Sequence, residues 1–391
     1  MRMDRADTTA CMPMPHRLRV MLVGPWKWTT GGVTTYMNNV AQSSLGETHE
    51  ILRFNIARPP KRNVTDNYGY GAIWRGGAGR VLLGAFVTLW HLAIFPFIVL
   101  VRRPDVVQVQ ASDFQAFWEA SLYVLVARTL KFPNLMRLGG RFDYFYDVSS
   151  PRARALIRRV LQWPDRMIVQ SNYWRRTVEA LGRTHGVVVL PNSAPDALVE
   201  TSRSSGGGPP LCLFVGGSDA LGKGFQEVLD AARLLRSEGA EVTFQLIAVN
   251  APLARQVSDA GLDDVVSTEG VLAHGSAIEA MRRCQIYLLP SHGEGFPNAL
   301  IEAMTLGLAP VVTPVGAIPE IVEDTGALVV PVKDPRALAD AIAKLAENPS
   351  LRAEIGAAAR ARVKARFVHS VTMPMLAEAW RDVALDKPAN K

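Results

Sequence analysis

Several residue patterns that define large protein classes are missing from this chain of 391 residues. Its cysteines are three, Cys11, Cys212 and Cys284, and they lie far apart without metal-ligand spacing. This argues against a disulfide framework and a zinc site and fits a reducing, cytoplasmic setting. No Asp-x-Asp pair offers two carboxylates to a divalent cation, so neither a metal nor another cofactor is expected. No G-x-G-x-x-G run follows a strand, which disfavours a nicotinamide dehydrogenase. Helix-turn-helix, zinc-finger and aromatic RNA-binding patterns are absent too, so nucleic acid is not an expected partner. The leader MRMDRADTTACMPMPH (1–16) has no apolar segment and reads as a disordered tail rather than a cleavable signal.

What is present is ordinary for a soluble globular protein: 48% hydrophobic and 20% charged residues, over a length that suggests two domains. Charge is uneven. Residues 1–200 hold 25 Lys and Arg against 14 Asp and Glu, whereas the remainder holds 18 against 22. The run ETSRSSGGGPP (200–210) separates these halves as a flexible linker. Before it, apolar runs at 17–24, 105–110, 134–138, 166–171 and 186–192 read as strands separated by helical stretches. After it, strands are expected in LCLFVGG, VTFQLIAVN, CQIYLLPS, APVVTPVG and ALVVPV, again alternating with helices. The expected fold is therefore α/β: two Rossmann-like, doubly wound parallel-sheet domains, 17–199 and 211–368, facing a cleft, with a helical C-terminal segment at 369–391.

The most informative stretch is SHGEGFPNALIEAM (291–304), which follows an apolar strand. Pro297 suits a helix start, Leu300, Ile301 and Met304 fall at helical spacing, and Gly307 is a natural stop. Open α/β sheets bind ligands at such strand–loop–helix junctions. The amides of Asn298, Ala299 and Leu300 form an anion site suited to a diphosphate. Glu302, one turn into the helix, can accept two hydrogen bonds from a ribose diol, and Glu294, in the loop, can hold hydroxyls beyond the phosphates. A second constellation, LFVGGSDALGKGFQEVLDAARLL (213–235), sets Lys223 before an amphipathic helix, where it can neutralise a leaving diphosphate. In a third, VGPWKWTTGGVTTYMNNVA (23–41), Gly31 and Gly32 allow close approach to a phosphate or sugar. Trp26 and Trp28 in that loop can stack on an acceptor or pack beneath the loop.

Together, FVGG…GKG, VLPN, the run from EGVLAHGS to GALVVPV and the early GGV resemble glycosyltransferase family 4, the retaining enzymes of GT-B fold with an E-x7-E motif. The resemblance implies that Glu302 binds the nucleotide ribose and Glu294 the transferred sugar. It gives the diphosphate to Lys223 and to the backbone around Gly295, Phe296 and Asn298 to Leu300. Gly31 and Gly32 would approach the donor from the first domain, and the C-terminal helix would cross back onto that domain. The partners implied are a nucleoside-diphosphate sugar and a glycan or lipid-linked hydroxyl acceptor. The chain departs from the family at Gly217 and Ser218, where an arginine is common, at Leu138, where a histidine is common, and at Gln108 and Gln110. Arg137 or Arg141 is a possible substitute for the missing cation, and Arg141 is an expected acceptor-side residue. The alternative is a catalytically silent member that binds a nucleotide sugar.

One segment has no place in that site. VLLGAFVTLWHLAIFPFIVLV (81–101) is apolar for 21 residues, long enough to span a bilayer. Because it sits between strands of one sheet, a crossing is disfavoured. The expectation is a segment dipping into the membrane interface with Arg80, Arg102 and Arg103 at the headgroups, on the inner face of the cell membrane; a helix or helical hairpin buried against the sheet is the alternative. On the first reading, Phe95, Phe97 and Ile98 are expected to face lipid.

Overall fold

The computed structural model describes residues 17–26, 32–57, 78–201 and 208–386, with backbone alone for 78–81. Two six-stranded sheets, all of whose pairings are parallel, form two α/β domains. In the first, β1 (Arg19–Gly24), β2 (Glu50–Asn55), β3 (Val106–Ala111), β4 (Asn134–Leu138), β5 (Arg166–Val169) and β6 (Val187–Val189) lie in the order β2-β1-β3-β4-β5-β6. In the second, β7 (Leu211–Val215), β8 (Thr243–Ile247), β9 (Val266–Thr268), β10 (Ile286–Leu289), β11 (Ala309–Val312) and β12 (Leu328–Val329) lie in the order β12-β11-β10-β7-β8-β9. Each sheet thus reverses direction next to its first strand, giving the doubly wound, Rossmann-like architecture expected from the alternation of strands and helices.

The central strands read as near-continuous apolar runs because helices cover both faces; every residue of β3, β4, β10 and β11 is buried. The two strands that periodicity did not reveal, β2 and β9, are edge strands. Each has a single buried residue, Phe54 in β2 and Val266 in β9, so neither shows a clear pattern.

Helices α1 (Gly32–Gln42) and α2 (Ser44–Thr48) follow β1, and a helix of 25 residues, α3 (Ala78–Arg102), precedes β3. Then come α4 (Phe114–Thr129), α5 (Phe142–Val148), α6 (Pro151–Val160), α7 (Asn172–Ala180) and α8 (Asp196–Val199). The second domain adds α9 (Phe225–Ser237), α10 (Ala251–Asp259), α11 (His274–Arg283), α12 (Asn298–Thr305), α13 (Ile318–Val322), α14 (Pro335–Glu347) and α15 (Pro349–Arg366).

The last helix, α16 (His369–Asp386), returns to the first domain. Its Met373, Leu376, Trp380 and Val383 complete a core layer with Val20, Leu22, Tyr36, Val40, Val106, Leu135 and Ile168. The indole of Trp380 donates to Gln108 Oε1 at 2.6 Å, and Gln108 Nε2 donates to the Tyr36 hydroxyl at 3.2 Å. Gln108 is therefore a buried bridge between α1 and α16. Leu138 is likewise a core residue.

Candidate active site

The loop after β10 and the loop after β7 are tied to each other before any ligand is considered. His292 N–H donates to Gly222 O at 2.8 Å, and His292 Nε2 lies 2.8 Å from Glu227 Oε1 at the start of α9. Gly224 has φ +88°, and a Cβ there would stand 2.3 Å from Pro290 O, so only glycine lets the Lys223 loop lie this close to the end of β10. Lys223 itself is half-buried, with its backbone N–H on Asp219 O. Ser218 is exposed in a short 3-10 turn, Gly217–Asp219, and Gly217 takes φ +78°.

The first domain closes on the same loops. A Cβ on Gly293 would lie 2.6 Å from Arg141 Nε, and one on Gly295 would lie 2.6 Å from Gly140 O. Glu294 is thus held between two glycines that touch the first domain, and its Oε1 accepts from Ser291 Oγ at 2.9 Å. Arg141 is fixed by its own backbone N–H to Asp113 Oδ2 and reaches to 3.9 Å from Asp219 Oδ2 in the Lys223 loop. Arg141 of the first domain therefore lies beside the loop that carries Gly217 and Ser218.

Helix α12 begins at Asn298, with Pro297 in the capping position rather than inside the helix. The Leu300 N–H already donates to Pro297 O at 3.2 Å, so of the three amides expected to meet an anion, those of Asn298 and Ala299 have no partner among the described residues. Asn298 stands at the domain boundary: its side-chain oxygen accepts from Asn192 Nδ2 at 2.6 Å, and its Nδ2 lies 3.5 Å from Gly32 O at the start of α1. Gly32 thus lies against the start of α12 in the second domain. Gly31 and Trp28 lie outside the described residues. Trp26 is turned inward, with its indole N–H on Leu22 O at 3.1 Å and the Arg53 guanidinium 4.8 Å above its ring, so it is a core side chain of the first domain. Phe296 is also a core side chain, against Phe367, and offers only its backbone.

Glu302 lines a small, partly open cavity together with Tyr36, Asn39, Asn192, His274 and Asn298. Its Oε1 is 2.9 Å from His274 Nε2 at the start of α11, and that hydrogen bond raises the His274 pKa above its ordinary value. Glu294 does not line this cavity, but both carboxylates act on one group behind them. Burial first, then the charges of Glu294 and Glu302, push the Tyr287 phenol well above its usual value.

Sequence reasoning gave no role to His274, Asn192, Trp174 or Glu320, although all but Trp174 fall in quoted motifs. Asn192 gathers the Phe296 carbonyl, Asn298 and Arg137. Arg137 is buried, stacked 3.7 Å over the Tyr36 ring, and burial lowers its pKa. It braces Asn192 from behind, so of the two arginines it is Arg141 that reaches the loops. Trp174 Nε1 donates to Gly295 O at 2.8 Å. The Glu320 carboxylate of the second domain accepts from the backbone N–H groups of Asn172 and Tyr173 at the start of α7. Among the described residues no group of three or more His, Cys, Asp and Glu side chains is placed to hold a metal ion.

Residues 209–348 match the family model described as glycosyl transferases group 1. The chain is 30% identical over 172 residues to the amylovoran biosynthesis glycosyltransferase AmsK of Erwinia amylovora, covering 41% of this chain and 42% of that protein. It is 29% identical over 182 residues to the alpha-D-kanosaminyltransferase of Streptomyces kanamyceticus, covering 45% and 46%. These alignments span less than half of either relative. The fold is matched far more completely. Sucrose-phosphate synthase from Thermosynechococcus elongatus superposes with a TM-score of 0.76 at 17% identity, over 95% of this chain and all of that one. HepE of Anabaena in complex with UDP superposes with a TM-score of 0.70 at 16% identity, over 93% and 100%. The two-domain arrangement is the GT-B fold.

Proposed function

We propose that the chain is a retaining, metal-independent glycosyltransferase that moves a sugar from a nucleoside-diphosphate sugar to a hydroxyl of a glycan or lipid-linked acceptor. The observation that supports this most is the gathering, at one seam between the domains, of Arg141, the Lys223 loop and the open amides of α12 around the glycine-flanked Glu294. The ribose would donate to Glu302, whose Oε2 is left open while His274 holds Oε1. The diphosphate would rest on the Asn298 and Ala299 amides, where the helix end is positive. As the bond from sugar to diphosphate breaks, Lys223 and Arg141 would meet the charge growing on the leaving oxygen. The acceptor oxygen would bond to the same face of the sugar, and its proton would pass to the departing phosphate oxygen. Glu294 would orient the sugar hydroxyls, so no separate base is required. The relative named for amylovoran biosynthesis supports a polysaccharide acceptor, and the UDP bound to HepE supports a nucleotide donor.

Isothermal titration with a set of nucleotide sugars, beside a turnover assay with and without EDTA, tests this reading. Binding of at least one donor and release of its nucleoside diphosphate in the presence of a glycan acceptor, at equal rates with EDTA, is the expected result. Absence of binding to every donor would sink the donor site. Activity lost in EDTA and restored by magnesium would sink the metal-free mechanism.

A further inference from the structure

Helix α3 leaves the greater part of an apolar surface in water. Only one stripe packs on the domain: Phe95 and Val99 are fully buried, with Phe95 4.9 Å from Phe54 and 5.0 Å from Tyr123, ring centre to ring centre. Around the rest of the helix Phe86 is 64% exposed, Leu89 65%, Trp90 57% and Phe97 71%, with Leu82, Leu83, Leu100 and Val101 exposed as well. Of the side chains first expected to face lipid, Phe95 is therefore a core residue and Ile98 is half-buried, leaving Phe97 alone outside. A patch of this size on a soluble domain marks an interaction surface.

We propose that this face of α3 is seated in the interfacial layer of an anionic lipid bilayer, with the helix lying along the membrane plane. Leu82–Arg102 has a mean hydropathy of 2.1. Over the roughly 30 Å from residue 81 to residue 101 no Asp, Glu, Lys or Arg occurs, so the face lacks the polar rim and frequent hydrogen bonds of a protein–protein interface. The charges collect at its ends instead. Arg102 and Arg103 are exposed at the C-terminal end, and in the sequence Arg80 stands just before the apolar run at the other. That pattern complements acidic headgroups, while the apolar side chains between enter the acyl boundary. The helix does not cross. It connects β2 and β3, which flank β1 in one sheet, and a crossing would strip Phe95 and Val99 from the core. The proposal does not rest on the glycosyltransferase reading, since its readout is partition and not transfer.

The test is sedimentation of the full chain with phosphatidylcholine vesicles, with and without phosphatidylglycerol, beside sedimentation velocity without lipid. Wild type should pellet with the phosphatidylglycerol vesicles, and more so at low salt. The Phe86→Ser/Trp90→Ser/Phe97→Ser variant should partition at least about tenfold more weakly at an unchanged melting temperature, because three large side chains no longer leave water. Arg102→Glu/Arg103→Glu should lose the preference for anionic over neutral vesicles. Wild type remaining in the supernatant, or a triple variant that pellets equally, would overturn the proposal. So would a triple variant that unfolds, since the face would then be packed within the fold. A wild-type dimer that the triple variant dissolves, without vesicle binding, would make the face a protein interface instead.

Discussion

Glu302 is oriented by His274 alone of the titratable residues on α11, and this single pair sets two expectations. Glu302→Ala should weaken nucleotide binding by about ten- to hundredfold, since a charged acceptor is worth about 1.5–3 kcal/mol; Glu294→Ala should lower turnover more than binding. Wild-type kinetics in both variants would remove the donor site from this seam. The raised pKa of His274 should also be visible by NMR as a titration above 6.5 that falls back in Glu302→Ala. Because the folded pKa is the higher one, the pair stabilises the fold fully below pH 6.5, and the contribution fades as pH rises through the folded value. It is a small contribution, because the His274 side chain is 59% exposed and water screens it. Glu294, Glu302 and Lys223 were legible in the sequence, since strand, glycine loop and helix start place them by local rules. Asn192 and His274 were not, because their roles come from contacts across 106 and 28 residues.

Among the elements, α7 makes the most direct link between the domains. Its first three backbone N–H groups are all satisfied, two by the Glu320 carboxylate of the other domain and the third, that of Trp174, by Ser171 Oγ. A carboxylate on the positive end of a helix is worth about 1 kcal/mol as a cap, with a further contribution from its charge. Glu320→Ala should therefore lower the unfolding free energy by about 1–2 kcal/mol in urea denaturation, and Glu320→Gln, which keeps an acceptor, by less. Equal losses would mean that the charge contributes nothing. No periodicity could have foreseen this cap, whose partners are separated by 148 residues. Helix α3 was legible in existence and length but not in orientation. A helix apolar on every side has no phase, so the sequence could not tell the buried Phe95 from the exposed Phe97.

For the whole molecule, the alternation of strands and helices was enough to foresee two parallel-sheet domains, because each β–α unit must bury both faces of its sheet. The seam that binds the last helix to the first domain has its own pH limit. Burial lowers the pKa of His49, whose ring lies 5.6 Å from that of Trp380, and burial likewise lowers that of His369 at the start of α16. Both are neutral in the fold, so their contribution is complete above pH 6.5 and is lost as pH falls below it. Thermal unfolding should show stability dropping through that window, and His49→Phe should flatten the drop; an unchanged slope would clear His49 of the effect. The same seam bears on how the chain is made. The apolar layer of Val20, Leu22, Val106, Leu135 and Ile168 is closed by Leu376, Trp380 and Val383. Roughly 190 residues separate the end of β6 from Trp380, which at about 5–20 residues per second leaves that layer uncovered for about 10–40 s of synthesis. The first domain to leave the ribosome is thus the last to be finished, and throughout that interval its open layer is a natural ligand for chaperones.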